Sequence, residues 1–390
     1  MKKIRIKQTQ TPLELFSTMG CRTQNGADIN ALNSYQMNIQ SVIKTGHLYD
    51  NYISAAQKDG RGNICPVTII LPTIAMEAKE EFEKQKKEKD ANYCYYSSLK
   101  NYAGDNEYLF EVFLRKLSIA ISDAKDMLIE RFKYICSQNA SSAKFMYENG
   151  TMAGYIPEEG IRSALKHGTL AIGQLGLAEC LQILIGCDHT TEKGMELAKR
   201  IEQLFKDRCA EFKEEYKLNF GVYYTPAENL CYTSMMKFRA EFGRIPNISD
   251  REFFTNSIHV PVWKEMSPIE KIDIESQLTG YSSAGCITYV ELDGAVKHNL
   301  MALESIVNYA MDKDIPYFAV NVPNDTCLDC GYCDEMNDTC PQCGGHNIQR
   351  LRRVTGYLTG NYTTAFNKGK QAEVEARYQH SRKMRGWQID

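Results

Sequence analysis

The sequence predicts an α/β fold followed by a small C-terminal module held together by something other than a hydrophobic core. Two observations carry this. Short β-branched runs alternate with stretches of helical apolar periodicity up to about residue 321, and past Asp325 the aliphatic residues give way to Cys, Gly and Asn. The change in character places a boundary between residues 1–324 and 325–390. A length of 390 residues accommodates two to three domains, or one large α/β domain with a small appendage.

Residues 1–60 are rich in Thr, Asn, Gln and Gly without a sustained period and read as loop. Arg61-Gly-Asn then leads into a β-branched run from Val67 to Leu71 that Pro72 closes, the pattern of a buried strand. From Met76 to Asp90 the chain is a charge run with helical propensity, expected to be an exposed helix face. Phe113, Leu117, Ile121, Met127 or Leu128, and Phe132 recur at helical spacing within Tyr108 to Cys136, which predicts a long packed helix. Gly168 to Gly173 reads as a short strand or turn feeding an Ala/Leu-rich helix from Leu177 to Ile185.

A second long helix is expected from Glu192 to about Tyr216, with Leu197, Ile201, Leu204, Phe205 and Phe212 along one side. Strands follow at Phe220 to Pro226 and Cys286 to Glu291. After the latter, an amphipathic helix from Asn299 to Met311 and a strand around Tyr317 to Asn321 complete a βαβ unit, which favours parallel pairing. No internal repeat is visible.

Composition narrows the function classes. Lys+Arg 46 against Asp+Glu 49 leaves a formal charge of -3, so no global field draws the chain to nucleic acid or to an anionic membrane. The basic N-terminus lacks an apolar signal core, and no stretch approaches ~20 uninterrupted apolar residues. A soluble, cytoplasmic protein is expected. The 14 cysteines, scattered through a long chain without an export signal, point to metal binding or to radical and redox chemistry rather than to a disulfide framework.

Cys327-x-x-Cys330 and Cys340-x-x-Cys343 form two knuckles separated by nine residues. Tetrahedral zinc takes four soft ligands, and each knuckle offers two thiolates through a tight turn, with Gly344 and Gly345 permitting unusual backbone angles. Zinc there supplies on the order of 10 kcal/mol of folding free energy. Cys333 and His346 are alternative ligands. Four protein ligands leave no open coordination position, so the site is expected to be a structural staple. The rival reading, a nucleic-acid zinc ribbon, would place basic residues in the knuckles, and only Arg350, Arg352 and Arg353 follow them.

Beyond the knuckles the chain reads Arg352-Arg-Val-Thr-Gly356-Tyr-Leu, then Phe366-Asn-Lys-Gly-Lys370 and Glu373-Val-x-x-Arg377-x-x-His380. This string resembles the radical loop of the anaerobic, class III glycyl-radical ribonucleoside-triphosphate reductases. Further motifs recur in the family's order. They are Met19-Gly-Cys21-Arg-Thr, Arg61-Gly-Asn63 with Leu71-Pro72, Gly173-x-x-Gly176-Leu-x-Glu179, Thr225-Pro-Ala-Glu-Asn229, Phe242-Gly243, Thr255-Asn256-Ser-x-His259 and Asn299-x-x-Ala302-Leu-Glu304.

The resemblance implies a partial ten-stranded α/β barrel of the glycyl-radical type, with the finger loop in residues 1–324 and the zinc and radical module in 325–390. It implies that Gly356 stores a backbone radical made by a radical-SAM activating enzyme. Glycine suits that role because a side chain would obstruct hydrogen abstraction and the planar delocalised geometry. Cys21 matches the thiyl-radical cysteine, which would abstract the 3′-hydrogen of a ribonucleoside triphosphate on the way to the 2′-deoxyribonucleotide. Met19 matches a methionine of formate-using members, making formate the expected reductant. Asn63 matches an asparagine near the substrate ribose, although an ordinary turn residue beside Gly62 reads equally well. Cys65, Cys94, Cys136, Cys180, Cys187, Cys209, Cys231 and Cys286 read as packing residues.

The family's full chains carry, ahead of the finger loop, half of the barrel, an ATP-binding regulatory cone and a second active-site cysteine. This chain is therefore expected to start inside the barrel, as a truncated form, one half of a split enzyme or a degenerate remnant. The Cys21 to Arg61 spacing is also longer than usual. An N-terminal companion and homo-oligomerisation of the complete enzyme are the expected partners, with no membrane and no direct nucleic acid. The alternative is a non-catalytic zinc-binding fragment. Other glycyl-radical families lack the knuckle pair.

Overall fold

The computed structural model describes residues 17–18, 24–25, 28, 30, 62–91, 105–149, 151–152, 154–354, 357–359 and 361–381. Strand β1 (Asn63–Ile70) pairs in parallel with β2 (Thr169–Leu175), and β2 with β3 (Asn219–Tyr223). Strands β4 (Thr288–Glu291) and β5 (Phe318–Asn321) form a second parallel pair. A parallel bridge between Tyr223 and Gly285 joins the two pairings, reinforced by Ala284 N–H to the Val222 carbonyl and Tyr224 N–H to the Gly285 carbonyl, both 2.9 Å. The α/β class is therefore present, as a three-stranded parallel sheet in the order β1-β2-β3 and a two-stranded one, β4-β5, linked through Gly285. A closed ten-stranded barrel is not seen among the described residues.

The helices follow the apolar spacing. α1 (Leu71–Ala91), α2 (Asp105–Cys136), α3 (Leu177–Ile185) and α4 (Glu192–Tyr216) cover one face of the first three strands. Phe110, Phe113, Leu117, Ile121 and Leu128 on α2 and Ile201 and Phe205 on α4 are fully buried. Each such side chain stabilises the fold by roughly 1.5–3 kcal/mol. Pro72 ends the strand by opening a helix, since a first-turn proline gives up an N–H that has no helical partner. α1 is thus longer than the charge run, and Leu71, Ile74, Ala75 and Ala78 bury its first half. Its second half carries Glu81, paired with Lys116 at 3.0 Å and with Arg115.

α5 (Asn229–Phe242) and α6 (Pro268–Thr279) were not expected from periodicity. α5 buries Cys231, Ser234, Met235 and Phe238, a helical stripe diluted by a serine and a cysteine. α6 opens on a capping box in which Ser267 and Glu270 satisfy each other's backbone N–H. α7 (Leu300–Asp312) connects β4 to β5 as expected.

The C-terminal module is a four-stranded antiparallel sheet. It consists of β6 (Asn324–Cys327), β7 (Cys333–Asp334), β8 (Ile348–Val354) and β9 (Tyr357–Thr359), in the order β9-β8-β6-β7. Its own apolar cluster is small: Cys327, Met336 and Cys340, with Tyr332 and Ile348 beside them. The final helix, α8 (Lys368–Ala376), packs against α5. No helix among the described residues is long and apolar enough to cross a membrane.

The two faces of the parallel sheet differ. Leu170 and Ile172 on β2 enter the large core, whereas Ala171 joins Tyr223 and Ala284 in a separate buried cluster. On that second face a Cβ at Gly173 would meet Thr225 Oγ1 and the Tyr223 carbonyl well inside van der Waals contact. Gly173→Ala should therefore cost about 2–4 kcal/mol, read as a lower urea midpoint, and an unchanged midpoint would show that this face has room.

On the core side, Glu202 of α4 is fully buried and accepts from Gln174 Nε2 at 2.9 Å. Burial pushes its carboxyl up to about 8, against the opposing hydrogen bonds from Tyr224 and Gln174. A folded pKa raised above the unfolded 4.5 gives stability that is fully present below pH 4.5 and lost as the pH rises through 8. Glu202→Gln, a mimic of the protonated form, should gain on the wild type between about pH 5 and about pH 9. Urea unfolding at both pH values checks this, and a constant difference would contradict it.

Candidate functional site

Several short motifs, scattered over nearly 200 residues of sequence, meet at the carboxyl ends of β2 and β3. Gly176, at φ 78, donates its N–H to the Thr255 carbonyl at 3.0 Å. Glu179, in the first turn of α3, accepts both the Thr255 N–H at 2.8 Å and its hydroxyl at 2.7 Å. Burial raises the Glu179 carboxyl to about 7, with the Thr255 hydrogen bonds pulling the other way. Asn256 Oδ1 accepts from Ala227 N–H at 2.9 Å, which brings the Thr225 to Asn229 loop onto the same cluster. Asn367 Nδ2 donates to Asn229 Oδ1 at 2.7 Å, and Gly369 lies against Tyr232.

Two non-glycine residues here adopt positive φ, Glu228 at 48° and the fully buried Ser257 at 50°. Strain of this kind costs of order 1–3 kcal/mol per residue and collects where a backbone must present a ligand surface. Glu228 is the N-cap of α5, and no side chain caps that helix. An uncapped helix start offers N–H donors and a positive dipole end suited to an anionic group such as phosphate.

Asn63, at the start of β1, donates Nδ2 to the Ala284 carbonyl at 3.0 Å. The two residues lie on opposite sides of β2 and β3, so the bond spans the small-residue face, where Ala171, Gly173 and Gly221 supply almost no bulk. Asn63 Oδ1 is buried without a hydrogen-bond partner, an acceptor able to take a hydroxyl.

A second polar group surrounds a small cavity of about 30 Å³ lined in part by His259, Lys271, Tyr289, Glu291, Arg377 and His380. Behind it Glu275 accepts from Val260 N–H at 3.0 Å, from His259 Nδ1 at 3.3 Å and from Lys271. Burial alone would push Glu275 up, but Lys271 and His259 overcome it and hold the carboxyl well below the usual range. Burial drives His380 down to about 3, so its neutral ring accepts Glu291 N–H at Nδ1, at 2.8 Å. Lys271 and Glu275 were not singled out from sequence. Their i, i+4 spacing after the Ser267-Pro-Ile-Glu270 cap was the available signal.

The four expected metal ligands come together. The Sγ atoms of Cys327, Cys330, Cys340 and Cys343 all lie within 4.8 Å of one another, with the 327–343 pair at 3.6 Å and the 330–340 pair at 3.7 Å. A tetrahedral zinc with Zn–S near 2.3 Å would set its sulfurs about 3.8 Å apart, so this group could hold such an ion. Each knuckle closes through a glycine at positive φ, Gly331 and Gly344, whose N–H groups bond back to Cys327 and Cys340 at 2.8 and 2.9 Å. The alternative ligands face elsewhere: Cys333 Sγ contacts Asn324 Oδ1 at 3.3 Å, and His346 Nδ1 pairs with the Asp338 carbonyl at 2.8 Å.

Met19, Cys21 and Gly356 lie outside the described residues. Their sequence neighbours are placed. Ser17–Thr18 pairs antiparallel with Gln24–Asn25, and Val354 pairs with Tyr357 in the β8–β9 ladder.

A family model described as anaerobic ribonucleoside-triphosphate reductase matches residues 2–380. The chain is similar to the anaerobic ribonucleoside-triphosphate reductase of Escherichia coli (strain K12), 30% identical over 339 residues, which is 83% of this chain and 43% of that protein. It is similar to the protein of the same description from Enterobacteria phage T4, 30% identical over 335 residues, with 83% and 49% covered. The chain thus spans less than half the length of these curated relatives. Among solved structures, an anaerobic ribonucleotide reductase superposes with a TM-score of 0.62 at 22% identity, covering 82% of this chain and 45% of that one. The Thermotoga maritima enzyme with glycerol in the active site gives 0.58 at 22% identity, with 80% and 44% covered. At such identity the likeness is one of fold.

The cysteine geometry makes a direct prediction. Cys330→Ser or Cys343→Ser should abolish most of the bound metal, while Cys333→Ser leaves it unchanged. Metal released on denaturation into a chromophoric chelator measures this, and loss in Cys333→Ser would reassign the ligand set.

Proposed function

The chain belongs to the anaerobic ribonucleoside-triphosphate reductase family, and from that premise we propose that it forms the radical-bearing part of an enzyme that converts ribonucleoside triphosphates to 2′-deoxyribonucleoside triphosphates. The observation that carries this reading is the family match over residues 2–380, with the family's motifs drawn together at the strand ends.

Gly356 is the storage residue, its α-hydrogen removed by a radical-SAM activating enzyme. The Gly356 radical takes the hydrogen atom of the Cys21 thiol, regenerating the glycine and leaving a thiyl. The thiyl abstracts the ribose 3′-hydrogen, the 2′-hydroxyl leaves as water with a proton, and formate supplies two electrons as it becomes carbon dioxide. Cys21 then returns its hydrogen to C3′ and retakes one from Gly356, so the glycyl radical survives turnover. On this reading Met19 marks formate as the reductant.

Asn63, with its unpartnered Oδ1, suits a ribose hydroxyl without offering an oxidisable group. The uncapped start of α5 suits the triphosphate. Cys327, Cys330, Cys340 and Cys343 would hold a structural zinc, whose contribution is to order β6 and β8 rather than to take part in the reaction.

In this reading residues 1–324 supply part of a ten-stranded barrel with the finger loop, and 325–390 the zinc and radical module. An N-terminal portion completes the nucleotide site, and the complete enzyme works as a homo-oligomer in the cytoplasm.

The test is electron paramagnetic resonance of the anaerobic chain after treatment with a matching activating enzyme, S-adenosylmethionine and a reductant. A glycyl doublet is expected in the wild type and absent in Gly356→Ala, with zinc content equal in both. A doublet that persists in Gly356→Ala would misplace the radical. Silence of the wild type, with the activating enzyme proven on a full-length relative, would favour the non-catalytic zinc-binding fragment.

A further inference from the structure

The β8–β9 hairpin is anchored on two sides by different chemistry. Toward the cysteine module, β8 pairs with β6 from Ile348 through Leu351, and Arg352 forms an ion pair with the fully buried Asp325. Toward the parallel strands, the anchor is the side chain of Arg377, which follows α8 and is nearly buried, at 11% exposure. Its Nη1 donates to the Arg353 carbonyl at 2.5 Å and lies 3.3 Å from Glu291 Oε1 at the end of β4. Its Nη2 donates to Glu373 on α8 at 3.2 Å. One planar guanidinium thus joins three elements, a geometry that a lysine ammonium on a flexible stem does not reproduce.

The support behind Arg377 is itself fixed. Tyr378 N–H bonds to the Val262 carbonyl and His380 N–H to the Glu291 carbonyl, both at 2.8 Å. The Arg353 guanidinium also lies over the Tyr289 ring of β4, 5.6 Å from its centre. Residue 353 is therefore held to β4 through both its carbonyl and its side chain, three residues ahead of Gly356.

We infer that Arg377 is a positioning residue that fixes the end of β8, three residues of sequence ahead of Gly356, against the end of β4, independently of whether the cysteine module is folded. This rests on the reading of Gly356 as the radical residue. On that reading, fixing the Arg353 carbonyl shortens the stretch of chain free to move ahead of the radical position and so slows loss of the radical. The anchors to β6 and Asp325 can keep the module intact when this contact is lost.

The test compares the full wild-type chain with Arg377→Lys, which retains the positive charge beside Glu291 and Glu373, and with Arg377→Gln, which does not. Zinc content and thermal midpoint serve as folding controls. In Arg377→Lys both controls should match the wild type, while amide hydrogen exchange over 352–354 and 357–359 rises about tenfold or more and that of 327–346 does not change. The activated glycyl doublet should decay about tenfold faster in Arg377→Lys, a spectroscopic change that general stability does not produce. Arg377→Gln should show the same exchange pattern even if its midpoint falls. Unchanged exchange and doublet lifetime in a folded, zinc-loaded Arg377→Lys would overturn the positioning role alone. A wild type that cannot be activated would overturn the Gly356 reading and this inference together, so the two failures are separable.

Discussion

The fold rests on one steric constraint, the lack of side-chain bulk at Ala171, Gly173, Gly221 and Ala284 on the second face of the parallel sheet. Ala171, Gly173, Gly221 and Ala284 let neighbouring strands and the Thr225 loop approach until a single added methyl would collide. Because the face is that shallow, the short amide of Asn63 reaches across β2 and β3 to Ala284. The same closeness seats the Thr225 to Asn229 loop, and with it the start of α5, at the strand ends. A larger residue at Gly173 would push away the segments that carry the polar groups of the site.

The buried carboxylates of the site are each held by specific partners. Glu179 takes two hydrogen bonds from Thr255, and Glu275 takes the charges of Lys271 and His259 with a backbone N–H besides. Removing one partner from such a set leaves an uncompensated buried charge, which costs far more than the pair contributes. The buried network therefore works as a geometric lock, fixing where the loops after β2, β3 and β4 must lie. It is the cause of their order rather than a store of net stability.

The cysteine module solves a different problem. With Cys327, Met336 and Cys340 as its buried apolar set, it has little core to order a sheet by hydrophobic burial, and its four gathered sulfurs could hold an ion that would offset that deficit. β8 passes this order onward, since it pairs with β6 inside the module and carries Arg353 out to Arg377 and β4. The end of β8 thus lies where the cysteine module meets the parallel strands.

Much of this was legible in the chain itself. Apolar period marked α2, α4 and α7, Ala/Leu content marked α3, and the strand runs on either side of α7 marked the parallel β4–α7–β5 unit, because long stripes on packed helices tolerate few exceptions. The knuckle spacing marked the four cysteines that come together, because each Cys-x-x-Cys turn brings its two thiols to one side. What sequence could not supply was adjacency. α5 and α6 escaped because their buried faces mix Ser, Lys and Glu with apolar residues, which breaks the apolar stripe. The convergence of Glu179 with Thr255, of Asn229 with Asn367, and of Arg377 with Glu291 and Arg353 was decided by tertiary packing. Hydrogen bonds and ion pairs act through space over about 3 Å and leave no period in the sequence, whereas burial of a helix face and the bite of a metal ion do.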